Sequence, residues 1–120
     1  MASIQLKRVF DPASKHDGFR VLVDRLWPRG LRKEEVRIND WMKDIAPSTE
    51  LRKWFGHEPA KWEEFRRRYF AELSDRPEMV ERLVEMARSG PLTLVYSAKD
   101  EEHNNAVALR EFLESAEGAQ

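Results

Sequence analysis

The chain has no cysteine among its 120 residues. Disulfide bonds, thiolate metal sites and cysteine nucleophiles are therefore excluded together. The chain also lacks an excess of charge of either sign, because 21 lysines and arginines are balanced by 22 acidic residues, giving a net charge of -1. Without a strong overall charge, no general field attracts nucleic acid or an anionic membrane, so any such binding needs a local basic patch.

Long hydrophobic runs are missing as well. No stretch reaches the roughly 20 apolar residues of a membrane-spanning helix, and residues 1–8 (MASIQLKR) lack the apolar segment of a signal peptide. We therefore expect no membrane association and a cytoplasmic protein, which the absence of disulfide bonds also favours. The dinucleotide glycine fingerprint, the phosphate-binding loop, the nucleophile elbow and the zinc helix motif are absent. The sequence thus indicates no standard enzyme class.

What remains is a composition typical of one folded domain. The chain is 41% hydrophobic and 36% charged, and its length suits one hydrophobic core. We predict a single α/β domain over residues 1–120, with an ordered core of about residues 4–114. The order of apolar runs and helical periods is β-β-α-β-α-α-α-β-α. This order predicts a three-layer domain in which helices flank a small, mostly parallel sheet of about four strands.

Two strands are clear from hydrophobic pattern. Residues 19–24 contain the apolar run VLV, and residues 92–96 (LTLVY) form a second run typical of a buried strand. Alternation over residues 4–10 predicts another strand, and residues 41–45 are a weaker candidate. The connection between the first two strands is short for a helical crossover, so a hairpin and an irregular crossover both stay open.

Five helices are predicted, and most have a recognisable start or stop signal. Side chains that accept hydrogen bonds from free amide groups mark several starts, and proline marks another. The predicted helices are residues 33–37, residues 49–55 between Ser48 and Gly56, one after Pro59, one after the capping-box pair Asp75 and Glu78, and one after Asp100.

Charged residues follow the predicted strand at residues 19–24. Arg25 and Arg29 lie on a loop that a proline and a glycine constrain. This loop is at the sheet edge where open α/β sheets bind ligands. A guanidinium group binds phosphate or carboxylate through two hydrogen bonds, which favours an anion site. Alternatively, the arginines pair with aspartates and only tie loops together. The candidate partners are Asp24, Asp40 and Asp44.

A second polar segment follows the strand predicted at residues 92–96 and precedes the last helix. A helix start offers amide donors to an anion, Lys99 adds a positive charge, and His103 titrates near neutral pH. If catalysis occurs, His103 and Asp100 are the expected proton-transfer residues. Alternatively, Asp100 caps the helix while His103 and Asn104 pack over neighbouring loops. One Asp–His pair makes a poor metal site, so no metal and no cofactor are expected.

Together these segments predict a cleft at the carboxyl edge of the sheet. Its ligand is expected to be a small anionic molecule that contains phosphate, a nucleotide or a carboxylate. Trp27 or Trp54 is expected to supply an apolar wall, although core packing is an alternative for such tryptophans. Ser48 is expected to donate a hydrogen bond, whereas His57 is interpreted as a surface residue. The predicted ligand-binding residues are Asp24, Arg25, Trp27, Arg29, Ser48, Trp54, Ser97, Lys99 and Asn104.

The basic cluster at residues 66–68 (RRR) indicates a different kind of function. Such a cluster, beside a tyrosine, can bind nucleic-acid phosphates or a protein partner. Three glutamates of the same predicted helix offset it through pairs at helical spacing, which favours a solvated helix face. A nucleic-acid or protein-binding module is therefore the alternative to small-ligand binding, and the oligomeric state is left open.

Three segments carry a family resemblance. They are residues 20–31 (RVLVDRLWPRGL), residues 45–57 (IAPSTELRKWFGH), and residues 94–100 (LVYSAKD) followed by His103 and Asn104. In this order they resemble the YeaO-like proteins, a short-form branch of the domain-of-unknown-function family 488. The resemblance implies an α/β fold with a parallel sheet, a cytoplasmic location and no assigned reaction. Longer members tend to carry cysteines near the last strand, where this chain has Ser97, so the resemblance implies no thiol chemistry here.

Overall fold

Four parallel strands form one sheet in the computed structural model, which describes residues 4–118. They are β1 (Ile4–Arg8), β2 (Phe19–Leu22), β3 (Asp40–Trp41) and β4 (Leu92–Tyr96), in the spatial order β1-β4-β2-β3. β1, β2 and β3 each run parallel to their neighbours. The α/β class and the small parallel sheet predicted from the sequence are confirmed.

β4 lies inside the sheet because both of its neighbours pair with it over most of their length. Leu94 is opposite Leu6 of β1 on one side and opposite Val21 of β2 on the other. All five residues of β4 are buried. A strand covered on both faces needs apolar side chains in both directions, which explains why its sequence is a continuous apolar run.

The connection from β1 to β2 is an irregular crossover. The two strands do not pair with each other, since each pairs with β4, so the hairpin alternative is wrong. A short 3-10 turn at Lys15–Asp17 lies in this connection, and the Ser14 side chain caps it by accepting a hydrogen bond from the His16 amide. Gly18 follows with φ 65° and leads directly into β2.

Five α-helices are present in the described residues, in the predicted order. Ser48 caps the second of them, because its Oγ accepts a hydrogen bond from the Leu51 amide, and Gly56 ends it in the left-handed conformation with φ 54°. Both ends of this helix agree with the prediction from the sequence. The helices are α1 (Lys33–Val36), α2 (Thr49–Phe55), α3 (Trp62–Ser74), α4 (Pro77–Ser89) and α5 (Asn105–Gly118).

Two local predictions are wrong. The strand expected at residues 41–45 is only the two-residue β3, and Lys43–Ile45 forms a 3-10 turn instead. The capping box expected at Asp75 is absent, because α4 begins at Pro77 and its N-cap residue Arg76 makes no side-chain cap. A proline at the first helical position needs no amide partner, so this helix starts without a side-chain acceptor.

The cap predicted for the last helix is also wrong. Asp100 accepts hydrogen bonds from the amides of Glu102 and His103, and so closes a turn before the helix. The Oδ1 atom of Asn104 accepts from the Val107 amide at 3.0 Å, which places the cap four residues later. Asparagine and aspartate are equally good caps, so the path of the chain decides between them.

Helices cover the two faces of the sheet unequally. α2, α3, α4 and α5 pack on one face, where their apolar side chains meet Val21 and Leu94. α1 and the loops cover the other face, where Val36 joins Leu22 and Val95. The sheet is therefore flanked by helices on both sides, as predicted. Within residues 4–118, no helix combines the length and apolarity needed to cross a membrane.

A buried ion cluster lies under the β1–β2 connection. Asp17 and Arg20 are only 2% and 4% exposed, and Arg20 Nη1 lies 2.5 Å from Asp17 Oδ2. Lys7 Nζ lies 2.8 Å from the other carboxylate oxygen. Arg20 also donates to the carbonyl oxygens of Val36 and Arg37 at 2.9 and 3.1 Å. The cluster therefore ties β1, β2 and the end of α1 together.

Candidate functional site

A cavity of about 590 Å³ lies at the carboxyl edge of β2 and β4. Its volume is in the range of cavities that hold small organic ligands. The residues after the two strands meet α2 and the start of α5 there, as expected for an open parallel sheet. Its polar lining residues are Asp24, Arg25, Arg52, His57, Ser97, Lys99, Asp100, Asn104 and Asn105.

Asp24 holds three elements together at this edge. Its Oδ2 accepts hydrogen bonds from the Ser97 amide at 2.9 Å and from Ser97 Oγ at 2.7 Å. Its Oδ1 accepts from Asn105 Nδ2 at 3.1 Å, and the same nitrogen donates to the Val23 carbonyl at 3.0 Å. The ends of β2 and β4 and the start of α5 are thereby fixed, which gives the cavity a rigid polar floor.

Arg25 is bonded mainly to backbone. Its Nε donates to the Pro47 carbonyl and its Nη2 to the Ala46 carbonyl, both at 3.2 Å. Asp44 is the only one of its three candidate aspartate partners within ion-pair distance, and that contact is long, at 3.9 Å. Arg25 therefore ties the loop after β2 to the turn before α2, and it also lines the cavity.

Two further cations line the cavity. Arg52 on α2 and Lys99 after β4 are both exposed. No other described residue accepts a hydrogen bond from either side chain or pairs with it. An exposed cation in a concave site attracts anions most strongly when no carboxylate neutralises it. With Arg25, these two residues give the lining three cations against the two carboxylates of Asp24 and Asp100.

His57 also lines the cavity, directly after α2. It follows the glycine that ends α2 and adopts φ 60°, a left-handed conformation that is uncommon for residues other than glycine. Its ring lies 6.2 Å from that of Phe55. His57 is exposed, as the sequence interpretation expected, but its place in the cavity lining was not predicted, and neither was that of Arg52. Helical spacing is the available signal, because Arg52 and Phe55 lie three residues apart on α2.

The rest of the cavity wall is apolar. Phe55 and Phe65 are stacked with ring centroids 4.4 Å apart, and both are buried. Leu26 also lines the cavity and is 61% exposed, although it is a large hydrophobic side chain. The remaining apolar lining residues are Ala46, Pro47 and Ala98.

Asp100 lines the cavity, whereas His103 lies outside its lining. Hydrogen bonds from the Glu102 amide, the His103 amide and the His103 side chain lower the pKa of Asp100 below its ordinary value. His103 Nδ1 lies 3.0 Å from Asp100 Oδ2, and its ring makes an edge contact with Trp62. Asp100 is therefore held as an anion that accepts hydrogen bonds, which suits a structural turn better than proton donation.

Four other predicted site residues also lie outside the cavity lining. Trp27 packs edge-on against Trp41 at 5.4 Å and donates from Nε1 to the Leu31 carbonyl. Ser48 binds a carboxylate instead of facing a ligand, since its amide and its Oγ both donate to Glu72. The other two residues are Arg29 and Trp54.

Trp54 contacts cations of neighbouring helical segments. The Arg68 guanidinium lies 4.3 Å from the centre of its ring and the Lys61 ammonium 5.0 Å from it. Arg29 is exposed, and no other described residue pairs with it.

The structure brings together six of the eleven predicted site residues at the cavity. These six are Asp24, Arg25, Ser97, Lys99, Asp100 and Asn104.

The arginines at residues 66–68 are all paired with glutamates. Arg66 pairs with Glu63 and Glu111, and both following arginines pair with Glu64. Hydrogen bonds from these two arginines lower the pKa of Glu64 to about 2. The basic cluster is therefore locally neutralised, as the solvated-face interpretation requires. No set of three or more histidine, aspartate or glutamate side chains within the described residues is arranged to hold a metal ion.

Replacing Asp24 by alanine is expected to lower the free energy of unfolding by about 2 kcal/mol, because it leaves the donors of Ser97 and Asn105 unsatisfied. Chemical denaturation measures this loss. The matched control is Asp44→Ala, which removes a carboxylate that is 73% exposed and makes only the long contact with Arg25. The control should change stability by less than about 0.5 kcal/mol. An equal effect of both substitutions would contradict the assigned bonds of Asp24.

The chain matches a known protein family. A family model described as "Inactive DUF488-N3 subclade" matches residues 3–120. The chain belongs to this subclade. The resemblance drawn from the three sequence segments is thereby confirmed. No solved structure gives a significant match to this DUF488-N3 chain.

The relatives carry no assigned activity. The DUF488-N3 chain is 49% identical over 113 residues to the uncharacterized protein YeaO of Escherichia coli. These residues make up 94% of this chain and 98% of YeaO. It is 38% identical over 110 residues to the uncharacterized proteins Mb3100c of Mycobacterium bovis and Rv3073c of Mycobacterium tuberculosis, with 92% of each chain covered.

Proposed function

We propose that the cavity binds a small anion that carries a phosphate or a carboxylate. The observation that supports this most directly is the pair Arg52 and Lys99, two exposed cations that line one cavity and have no partner among the described residues. Arg25 adds a third positive charge to the lining of the same cavity. Charge-assisted hydrogen bonds from such groups are the strong contacts of phosphate and carboxylate recognition.

Binding without catalysis fits the site better than an enzymatic reaction. Asp100 is held in its ionised form by three hydrogen bonds, and His103 lies outside the cavity lining. The subclade to which the chain belongs is itself described as inactive. The second candidate, a nucleic-acid or protein-binding surface at residues 66–68, has less support because glutamates pair with all three arginines.

Titration with inorganic pyrophosphate, followed by calorimetry, tests the anion site. The double substitution Arg52→Ala, Lys99→Ala is expected to weaken binding about 100-fold, because two charged hydrogen bonds of about 1.5 kcal/mol each are removed. The matched control is Arg29→Ala, Lys53→Ala, which removes the same two residue types at exposed positions outside the cavity. The control should bind like the unmodified protein. Unchanged affinity in the cavity variant would reject the proposal.

A further inference from the structure

The cavity floor offers hydrogen-bond acceptors that the protein itself does not use. Asn105 donates both amide hydrogens, one to Val23 and one to Asp24. Because both partners are acceptors, the orientation of this amide is fixed, and no other described residue donates to its Oδ1. The Ser97 hydroxyl gives its hydrogen to Asp24 and keeps free lone pairs. These two side chains therefore suit a ligand that brings its own hydroxyl or amino donors.

The wall offers apolar surface that a bare anion leaves uncovered. Leu26 is 61% exposed and lines the same cavity as Phe55 and Phe65. Removing apolar surface from water is favourable in proportion to the area covered. A flat ring placed against Leu26 gains this contribution, whereas inorganic phosphate does not. The cavity therefore presents three kinds of group to a ligand. They are the apolar side chain of Leu26, the hydrogen-bond acceptors of Ser97 and Asn105, and the cations Arg52 and Lys99.

We infer that the ligand is a nucleoside phosphate. Its phosphate accepts hydrogen bonds from Arg52 and Lys99, and its base packs against Leu26. Its ribose hydroxyls or base amino group donate to the free acceptors of Ser97 and Asn105. The cavity volume of about 590 Å³ is large enough for such a molecule. This inference rests on the proposed anion site and adds the apolar and hydrogen-bonding parts of the ligand.

Calorimetric titration with four probes separates the contributions of the cations, the apolar wall and the acceptors to binding. Methyl phosphate carries the anion alone, phenyl phosphate adds a ring, adenosine monophosphate adds donors, and adenosine lacks the anion. Phenyl phosphate is expected to bind about tenfold more tightly than methyl phosphate, since covering roughly 60 Å² of apolar surface suffices for that factor. Adenosine monophosphate should bind more tightly again, and adenosine more weakly than its monophosphate.

The substitution Leu26→Ser tests how much the apolar side chain of Leu26 contributes to affinity. Because the side chain is exposed, the variant should keep the melting temperature of the unmodified protein. It is expected to lower the affinities for phenyl phosphate and adenosine monophosphate several-fold and to leave that for methyl phosphate unchanged. The matched control is Phe10→Ser, which alters another exposed hydrophobic residue, 51% exposed and outside the cavity. It should change none of the four affinities.

The outcomes distinguish this inference from the proposed function. Equal affinities for phenyl phosphate and methyl phosphate, both lost in Arg52→Ala, Lys99→Ala, would overturn the nucleoside part and leave the anion site intact. Adenosine monophosphate binding no more tightly than phenyl phosphate would overturn the use of the floor acceptors. Failure of all three phosphates and of pyrophosphate to bind would reject the anion site and the inference together.

Discussion

Gly18→Ala is expected to destabilise the fold by about 3 to 5 kcal/mol, the sum of backbone strain and a steric clash. A Cβ atom at this position would lie 2.2 Å from the Pro91 carbonyl oxygen and 2.7 Å from Pro91 Cβ. The backbone has little freedom to move away, because the Phe19 amide donates to that same carbonyl at 3.0 Å. β2 begins at Phe19, opposite Leu92 of β4. Relief of the clash therefore disturbs the centre of the sheet.

Urea denaturation measures this loss, and Gly30→Ala is its matched control. Gly30 also has a positive φ, of 79°, but nothing lies within 4 Å of its added Cβ. In the control, only the strain of a left-handed residue lowers the free energy of unfolding, by about 1 kcal/mol. The difference between the two variants gives the cost of the clash. If Gly18→Ala is no less stable than Gly30→Ala, the backbone between β2 and β4 can move away from the clash, and the prediction is wrong.

Arg20→Met is expected to cost about 3 to 5 kcal/mol, the usual penalty for removing one partner of a buried ion pair. The Asp17 carboxylate would lose its closest cation, and the carbonyls of Val36 and Arg37 would lose their donor. The matched control is Arg82→Met, since Arg82 is 63% exposed and pairs with Asp40 at 3.5 Å. The control should change stability by less than about 0.5 kcal/mol. Similar losses in both variants would show that the buried cluster contributes no more than a surface pair.

The pH dependence of stability provides a second measurement of the cluster. Burial alone would raise the pKa of Asp17, but hydrogen bonds from Lys7, the Ser14 amide and Arg20 outweigh it and lower the pKa below 3.8. A lowered pKa contributes stability above the pKa of the unfolded state, which is lost as the pH falls through the pKa of the folded state. The unfolding free energy should therefore fall below about pH 4, and less steeply in Arg20→Met.

Helices and strands could be predicted from the sequence wherever neighbouring residues alone determine them. The apolar runs of β2 and β4 predict buried strands because a strand covered on both faces excludes polar side chains. Ser48 and Gly56 bound α2 through contacts with residues only a few positions away. The predicted element order, the parallel sheet and the family membership all agree with the structure and the comparisons.

The cavity residues were foreseeable in part for a similar reason. Asp24 and Ser97 directly follow the two strands whose pattern was clearest, and adjacent parallel strands bring their carboxyl ends together. Their hydrogen bonds show that the two segments meet. Lys99, Asp100 and Asn104 line the cavity because they belong to the same segment.

Only the tertiary structure decided which other side chains reach the cavity. Arg52 and His57 line it because α2 and the residues after it lie at the sheet edge, where α2 packs against α3. Trp27 and Trp54 share their loops and helix with cavity residues but point to other partners. By itself, the sequence determined the strands, the element order and the residues at the strand ends. Long-range packing decided which cations reach the cavity, because the packing of α2 at the sheet edge does not depend on local sequence alone.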